Sequence, residues 1–190
     1  MAQKKYFPII ISSPSGGGKS TVCDEILACR DNIAYSISYT TRKPRKNEKD
    51  GEDYYFISEN KFNEMLKNDL FAEWAKVHGN LYGTSKEVIE NILKQDKHVI
   101  LDIDTKGAEQ LMSVYPESLS VFLFPPSMKE LEKRLRKRET DSEATIQLRL
   151  KNAKQEFADA TVYDYLIIND DIERIVNKIL NIIDKKSLNK

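Results

Sequence analysis

One stretch of eight residues limits the possible folds of this chain more than any other. Ser13-Pro14-Ser15-Gly16-Gly17-Gly18-Lys19-Ser20 follows the apolar run Ile9-Ile10-Ile11 and leads into Thr21-Val22-Cys23-Asp24-Glu25-Ile26-Leu27. A strand, a glycine-rich turn and a helix start are thus written consecutively, which is the layout of a phosphate-cradling P-loop. Gly16, Gly17 and Gly18 let backbone N–H groups turn inward toward an anion, Lys19 can reach β and γ phosphates, and Ser20 can offer a hydroxyl to Mg²⁺. A flexible glycine loop that merely capped a helix would have no use for Lys19 and Ser20. Ser13 stands where the usual motif has glycine; serine holds many backbone angles of such a turn, but positive φ only at a cost.

The rest of the chain falls into two rhythms. Strands are expected at Ile9–Ser12, Val99–Ile103, Ser120–Phe124 and Tyr165–Ile168. Helices are expected near Lys19–Ala28, Lys106–Tyr115, Met128–Arg138, Glu143–Ala160 and Ile172–Lys185. Short apolar runs alternating with helical periodicity indicate a buried parallel sheet flanked by helices. From about Ile37 to Ile92 that rhythm breaks into short alternating pieces such as Asp53-Tyr54-Tyr55-Phe56-Ile57, a helix near Asn60–Asn68, and turns at Asn47–Gly51 and Gly79-Asn80. This reads as an inserted α+β lobe with antiparallel strands. The expected architecture is an α/β, three-layer P-loop fold: core residues 1–36 and 93–190, an inserted lobe 37–92, and a small lid at about 138–148. Asp184 to Lys190 reads as a frayed end.

Composition excludes several classes of function. The chain has 190 residues, 40% of them apolar, enough for a real core. Its 30 basic residues are matched by 30 acidic ones, so it is not built as a general binder of nucleic acid or membrane, and anion sites must come from local clusters. Two clusters stand out: Arg42-Lys43-Pro44-Arg45-Lys46 with Lys49, and Lys133 to Arg138. Lys43, Lys46, Lys133 and Lys137 fit solvated surface equally well. The start, Met1-Ala2-Gln3-Lys4-Lys5, precedes an apolar run too short for a signal peptide or membrane span, so the cytoplasm is the expected location. Cys23 and Cys29 lie on different faces of the first helix and read as reduced and structural. His78 and His98 lack acidic or cysteine companions at ligand spacing, and His98 reads as a strand-edge residue.

Val99-Ile100-Leu101-Asp102 is an apolar run ending in an acid, the arrangement by which P-loop proteins set a carboxylate beside a metal. Asp104 follows on the same side of an extended chain, and an N-cap for the next helix is its plainer role.

Here the residues resemble a family. The run Ser36-Ile37-Ser38-Tyr39-Thr40-Thr41-Arg42-Lys43-Pro44-Arg45, continuing through Glu48 and Gly51 to Asp53-Tyr54-Tyr55-Phe56, resembles the acceptor-binding signature of guanylate kinases. Phe71-Ala72-Glu73-Trp74-Ala75, Gly79-Asn80-Leu81-Tyr82-Gly83-Thr84, Leu101-Asp102-Ile103-Asp104, Pro125-Pro126-Ser127, Arg134 to Arg138, Arg149 and Ile168-Asn169-Asp170-Asp171 follow in the family order. The resemblance covers nearly the whole chain from about Phe7. It implies ATP + GMP giving ADP + GDP with Mg²⁺, with dGMP as an open alternative acceptor and the protein acting as a monomer or homo-oligomer.

The resemblance also distributes roles. ATP would meet Ser13, Pro14, Ser15, Gly16, Gly17, Gly18, Lys19, Ser20, Thr21 and Asn169, the last near the adenine or else capping the final helix. The acceptor phosphate, a dianion, suits the guanidinium forks of Arg42 and Arg45 and the hydroxyls of Tyr54 and Tyr82. Guanine offers N1–H and a 2-amino group as donors and O6 as acceptor. Glu73 would accept the first two, Ser38 and Thr84 would donate to O6, and Asp104 would take the remaining amino proton. Ser20 and Asp102 would face the metal. Lys19, Arg42, Arg134, Arg138 and Arg149 would supply positive charge to the moving phosphoryl, with Glu139-Thr140-Asp141-Ser142 as a lid over ATP. Trp74 reads as a core aromatic. Two rival functions keep the same fold: a noncatalytic peptide-binding module of scaffolding proteins, which loses the phosphate machinery, and a P-loop kinase of another small acceptor such as a ribose phosphate, which would leave Glu73 with no purine to read.

Overall fold

Every side chain of β1 (Pro8–Ser12) is buried, as a strand covered on both faces requires. The computed structural model, which describes residues 5–77, 79–137 and 142–188, continues with α1 (Lys19–Cys29), β2 (Ile33–Tyr35), β3 (Tyr39–Thr40), β4 (Tyr55–Phe56), α2 (Glu59–Lys67), β5 (Phe71–Val77), β6 (Asn80–Ser85) and α3 (Lys86–Leu93). Then come β7 (His98–Asp102), α4 (Thr105–Val114), β8 (Leu119–Phe124), α5 (Met128–Arg136), α6 (Glu143–Asp159), a 3-10 turn at Ala160–Val162, β9 (Tyr165–Ile168) and α7 (Ile172–Leu188). One sheet has five strands in the order β2-β7-β1-β8-β9, all paired in parallel. On one side α1 and α7 bury Val22, Cys23, Ile26, Ile175, Val176 and Ile179 against it. On the other, α3 and α4 bury Ile89, Ala108 and Leu111 against Ile10, Val99 and Leu101. The expected three-layer α/β arrangement is therefore present.

The second sheet has four strands in the order β4-β3-β6-β5. Its β3–β6 and β5–β6 pairs are antiparallel, but β3 and β4 run parallel, which corrects the expectation of a wholly antiparallel lobe. The long loop from Thr41 to Tyr54 returns the chain to the start of β3 and so allows that pairing. Phe62 and Met65 of α2 pack with Phe71 and Leu81 to form this sheet's own small core. Serine hydroxyls start three of the helices: Ser58, Ser127 and Ser142 accept from the N–H groups of Lys61, Glu130 and Thr145, each satisfying a donor that the helix leaves unpaired.

Two local expectations need correction. The core contains β2, a strand not anticipated in the sequence. The chain end is helical through Leu188 rather than frayed at Asp184, because Ser187 is buried and its Oγ lies 3.2 Å from His98 Nε2. His98 is the first residue of β7, as expected of a residue at the edge of a strand, and its Nδ1 accepts from the Phe7 N–H at 3.3 Å. Residues 142–148 of the expected lid are the N-cap and first turns of α6, while 138–141 lie outside the described residues. No helix among the described residues is long and apolar enough to cross a membrane.

Candidate active site

The loop after β1 makes its turn with glycine. Gly16 and Gly18 have φ of +87° and +93°, angles that L side chains adopt only with strain, and Gly18 caps α1 in this left-handed conformation. Among the described residues the non-glycine positions of positive φ are Asp69 and Asp96, so Ser13 sits in the loop without that strain. Ser13 is buried, and its backbone oxygen accepts from Lys19 Nζ at 2.9 Å. Asn169 braces the loop from β9, donating through Nδ2 to Gly17 O at 2.7 Å, and a Cβ on Gly18 would stand 2.5 Å from that nitrogen. The capping role weighed for Asn169 belongs instead to Asp171, which accepts from the Arg174 N–H.

Two expected arginines reach the same loop. Arg149 donates to Ser15 Oγ at 2.7 Å. Arg134 donates to Asn169 O at 3.3 Å and is held by Glu130 one helical turn away. Arg138 lies outside the described residues. Arg136 is committed to Glu132 and Glu143 on the surface, as expected of a solvated helix face.

Beside Lys19, Ser20 Oγ donates to Asp102 Oδ2 at 3.2 Å, and Asp102 Oδ1 accepts from the Tyr35 hydroxyl at 2.5 Å. Among the described residues no group of three or more His, Cys, Asp or Glu gathers to hold a metal. One hydroxyl and one carboxylate are nevertheless the hard-oxygen donors that suit Mg²⁺ carried by nucleotide phosphates, an ion that needs no all-protein cage. The residues present fit that ion.

A cavity of about 290 Å³ opens next to this pole, lined by Lys19, Tyr35, Ser38, Tyr54, Glu73, Tyr82 and Asp102 among others. Asp104 also lines it while capping α4 through Gly107 N at 2.8 Å, so the cap leaves its carboxylate at the cavity wall. A larger cavity of about 620 Å³ lies at the amino ends of the strands between Lys5, Glu117, Asp164 and Lys186. It is far from the P-loop and mixes both charges, so chemistry rather than size selects the smaller one.

Glu73 is the most unusual group in the smaller cavity, a carboxyl only 5% exposed. A register shift between Phe71 and Glu73 puts an extra residue in β5, and such a bulge re-aims the side chains around it. Phe71 packs on Phe62 in the lobe core, whereas Ala72 and Glu73 both turn toward the main core, Ala72 into its α3–α4 cluster and Glu73 against Gly107. A Cβ on Gly107 would stand 2.5 Å from Glu73 Oε2, so any larger residue there would displace the Glu73 carboxyl. Thr84 donates to Glu73 Oε1 at 2.6 Å, and Ser38 lies 3.1 Å from Thr84 Oγ1. Each hydroxyl has a single proton; with Thr84's given to Glu73, Ser38 donates to Thr84. Burial, with a smaller push from the Asp104 charge, raises the Glu73 carboxyl to about 7 against the pull of Thr84. Near neutral pH this group changes charge easily, and paired donors arriving from a ligand would favour its carboxylate form. Trp74, expected in a core, is 41% exposed; it follows Glu73 along the strand and so faces the opposite way.

Behind two of the cavity's lining residues, Tyr54 and Tyr82, Arg42 is held firmly in place. Its two terminal nitrogens donate to the carboxylate of Glu48 at 2.8 and 2.9 Å, and Nε donates to the Tyr82 hydroxyl at 3.2 Å. The guanidinium also lies 5.4 Å from the Tyr54 ring centroid and 5.7 Å from that of Phe56, within cation–π range. The Arg42 fork and the Arg45 N–H hold the Glu48 carboxyl down at about 2. Arg45 itself extends into solvent with its side chain 78% exposed, so the structure brings Arg42, Tyr54 and Tyr82 together but leaves Arg45 at the rim. Sequence reasoning gave no role to Glu48, Tyr35 or Gly107. Glu48 stood inside the quoted signature; an acid six residues after an arginine was the available sign of a partner.

Comparison with known proteins agrees with this geometry. Residues 5–186 match the family model described as guanylate kinase. The chain is 48% identical over 180 residues to the guanylate kinase of Carboxydothermus hydrogenoformans, covering 95% of this chain and 88% of that one. Against the guanylate kinase of Fusobacterium nucleatum it is 47% identical over 175 residues, covering 92% and 94%. A crystal structure of guanylate kinase from Anaplasma phagocytophilum superposes with a TM-score of 0.81 at 34% identity, covering 100% of this chain and 90% of that one.

Proposed function

The chain belongs to the guanylate kinase family, and from that membership we propose that it moves the γ-phosphoryl group of ATP to GMP through the residues around the Lys19–Glu73 cavity, with Mg²⁺ on the nucleotide phosphates. It is a nucleoside monophosphate kinase. One observation carries the assignment of residues: Lys19 and Asp102 of the phosphate pole line the same cavity as Glu73, Ser38 and Tyr82. Donor and acceptor would therefore share one open cleft.

The P-loop amides and Lys19 would hold the β and γ phosphates, and Arg134 and Arg149, already at the loop, would add charge as the phosphoryl group moves. Mg²⁺, met by Ser20 and Asp102, supplies charge neutralisation on the phosphate oxygens when bound. Arg42, Tyr54 and Tyr82 would receive the acceptor phosphate, with Arg45 joining from the rim. That phosphate has its second pKa near 6 and is largely dianionic at neutral pH. Its oxygen attacks the γ-phosphorus as the bond to the β–γ bridging oxygen breaks, and ADP leaves. No protein base is needed, so positioning and exclusion of water do most of the work.

Glu73 would choose the base. As a carboxylate it accepts from guanine N1–H and the 2-amino group, whereas adenine lacks both donors and sets a lone pair against the buried charge. Ser38 and Thr84 would turn toward O6, and Asp104 toward the amino group. A scaffolding module would have no use for Lys19 in an intact P-loop, and a ribose-phosphate kinase none for Glu73. Free thiols at buried Cys23 and exposed Cys29 support a reducing location such as the cytoplasm.

The test is ADP release from Mg-ATP in the presence of GMP, dGMP, AMP, UMP or ribose phosphates. GMP should exceed AMP in kcat/KM by about a hundredfold or more. Release that needs no GMP, or that is faster with a ribose phosphate, would overturn the assignment.

A further inference from the structure

Tyr35 is the last residue of β2, and its register partner on β7 is Ile100. Its ring packs against the α1–α7 side of the core, while its hydroxyl emerges at the boundary between the phosphate pole and the acceptor cavity. There it donates to Asp102 Oδ1 at 2.5 Å, as Ser20 donates to Oδ2 at 3.2 Å. A carboxylate held at one oxygen can still rotate about its terminal torsion, which is broad and soft. Held at both oxygens, it cannot.

We propose that Tyr35 is a positioning residue for the metal pole: it pins Asp102 by Oδ1 so that Oδ2 stays beside Ser20, facing the cation that accompanies ATP. This rests on the phosphoryl-transfer reading above. An outer hydrogen bond of this kind orients a metal-facing oxygen and saves the cation the cost of ordering it. The hydroxyl also lines the acceptor cavity, so a plain wall for GMP is the alternative the experiment must separate.

Tyr35→Phe keeps the ring and its packing and removes only the donor. Binding of Mn²⁺, an EPR-visible stand-in for Mg²⁺, to the protein–ADP complex should weaken about tenfold. GMP affinity measured by calorimetry without metal should stay within about twofold, and the Mg²⁺ concentration for half-maximal rate should rise about tenfold while kcat at saturating Mg²⁺ is largely recovered. In an Asp102→Asn background, adding Tyr35→Phe should change Mn²⁺ affinity by less than about twofold, because the two residues act through one contact. Unchanged Mn²⁺ affinity in Tyr35→Phe would overturn the proposal, as would weakened GMP binding with Mn²⁺ affinity intact. Failure of the phosphoryl-transfer reading would show separately, as absent GMP-dependent ADP release in the unaltered protein, which the Mn²⁺ titration does not consult.

Discussion

The loop after β1 holds its shape with backbone, whereas the acceptor lobe holds its shape with side chains that grip one another. In the loop, Gly16 and Gly18 adopt positive φ, and Lys19 and Asn169 tie themselves to backbone oxygens of Ser13 and Gly17. In the lobe, Arg42 is locked by Glu48 and Tyr82, and Glu73 by Thr84 with Ser38 behind it. On the proposed function, amides and a lysine would read charge and shape, which every nucleoside triphosphate shares. A buried carboxylate with an ordered hydroxyl chain would read which base is present. Phosphate handling and base choice would then fall to different materials, and substitutions should separate them.

The largest effect is expected in the loop. Lys19→Ala should lower turnover by about a hundredfold or more, since a positioned charge on a transferring phosphoryl contributes several kcal/mol. GMP affinity should stay within about threefold, because the lobe's side chains do not depend on Lys19 for their geometry. A parallel collapse of GMP binding in a folded variant would show that the two regions are not separable.

A smaller effect is expected from Glu48→Gln, which keeps the shape of the lock on Arg42 but removes its charge. KM for GMP should rise about threefold to tenfold with kcat less affected, as an unlocked guanidinium must be ordered at binding. A lower KM would mean that Glu48 competes with the acceptor phosphate for Arg42 instead of orienting it.

The smallest effect concerns stability and follows from the sign of the Glu73 shift. Its folded pKa, about 7, exceeds the ordinary 4.5, so burial costs nothing below about pH 4.5, costs progressively more up to pH 7, and costs its full amount above. Glu73→Gln should therefore melt with the parent protein near pH 5. At pH 8 it should melt higher by about 5 °C, for a cost on the order of 2 kcal/mol. Equal melting temperatures at pH 8 would place Glu73 in a wetter site than the structure does. The lobe would then be trading stability for base recognition no more than the loop does.

The loop was legible in the sequence because its signal is local: strand, glycines, Lys19 and Ser20 are contiguous, and each is required by the turn or by the anion. The remaining parallel strands of the core followed from buried apolar runs between helices. Three residues, Ile33 to Tyr35, were too short a run to read as a strand, and with β2 went Tyr35, whose partner Asp102 is 67 residues away. The lobe was harder. Period-two reading cannot foresee the extra residue that turns both Ala72 and Glu73 inward and leaves Trp74 at the surface. Arg45 shared a signature with Arg42, yet Glu48 selects Arg42 by geometry, and spacing alone did not distinguish the two. The chain end reads as frayed because its charged residues outnumber its apolar ones, whereas buried Ser187 anchors it through His98 and the Lys5 N–H.

The separation of phosphate handling from base choice meets its sharpest test in kcat/KM for GMP and for AMP, measured in the unaltered protein and in Glu73→Gln. The amide replaces one acceptor with a donor, so at least one charge-assisted bond to guanine is lost, worth roughly 1.5–3 kcal/mol. Efficiency with GMP should fall about tenfold to a hundredfold, and the preference over AMP should shrink with it. Phosphoryl transfer should otherwise proceed through an undisturbed loop. An unchanged preference for GMP in a folded Glu73→Gln protein would contradict the account and move the reading of guanine to Asp104 and Ser38.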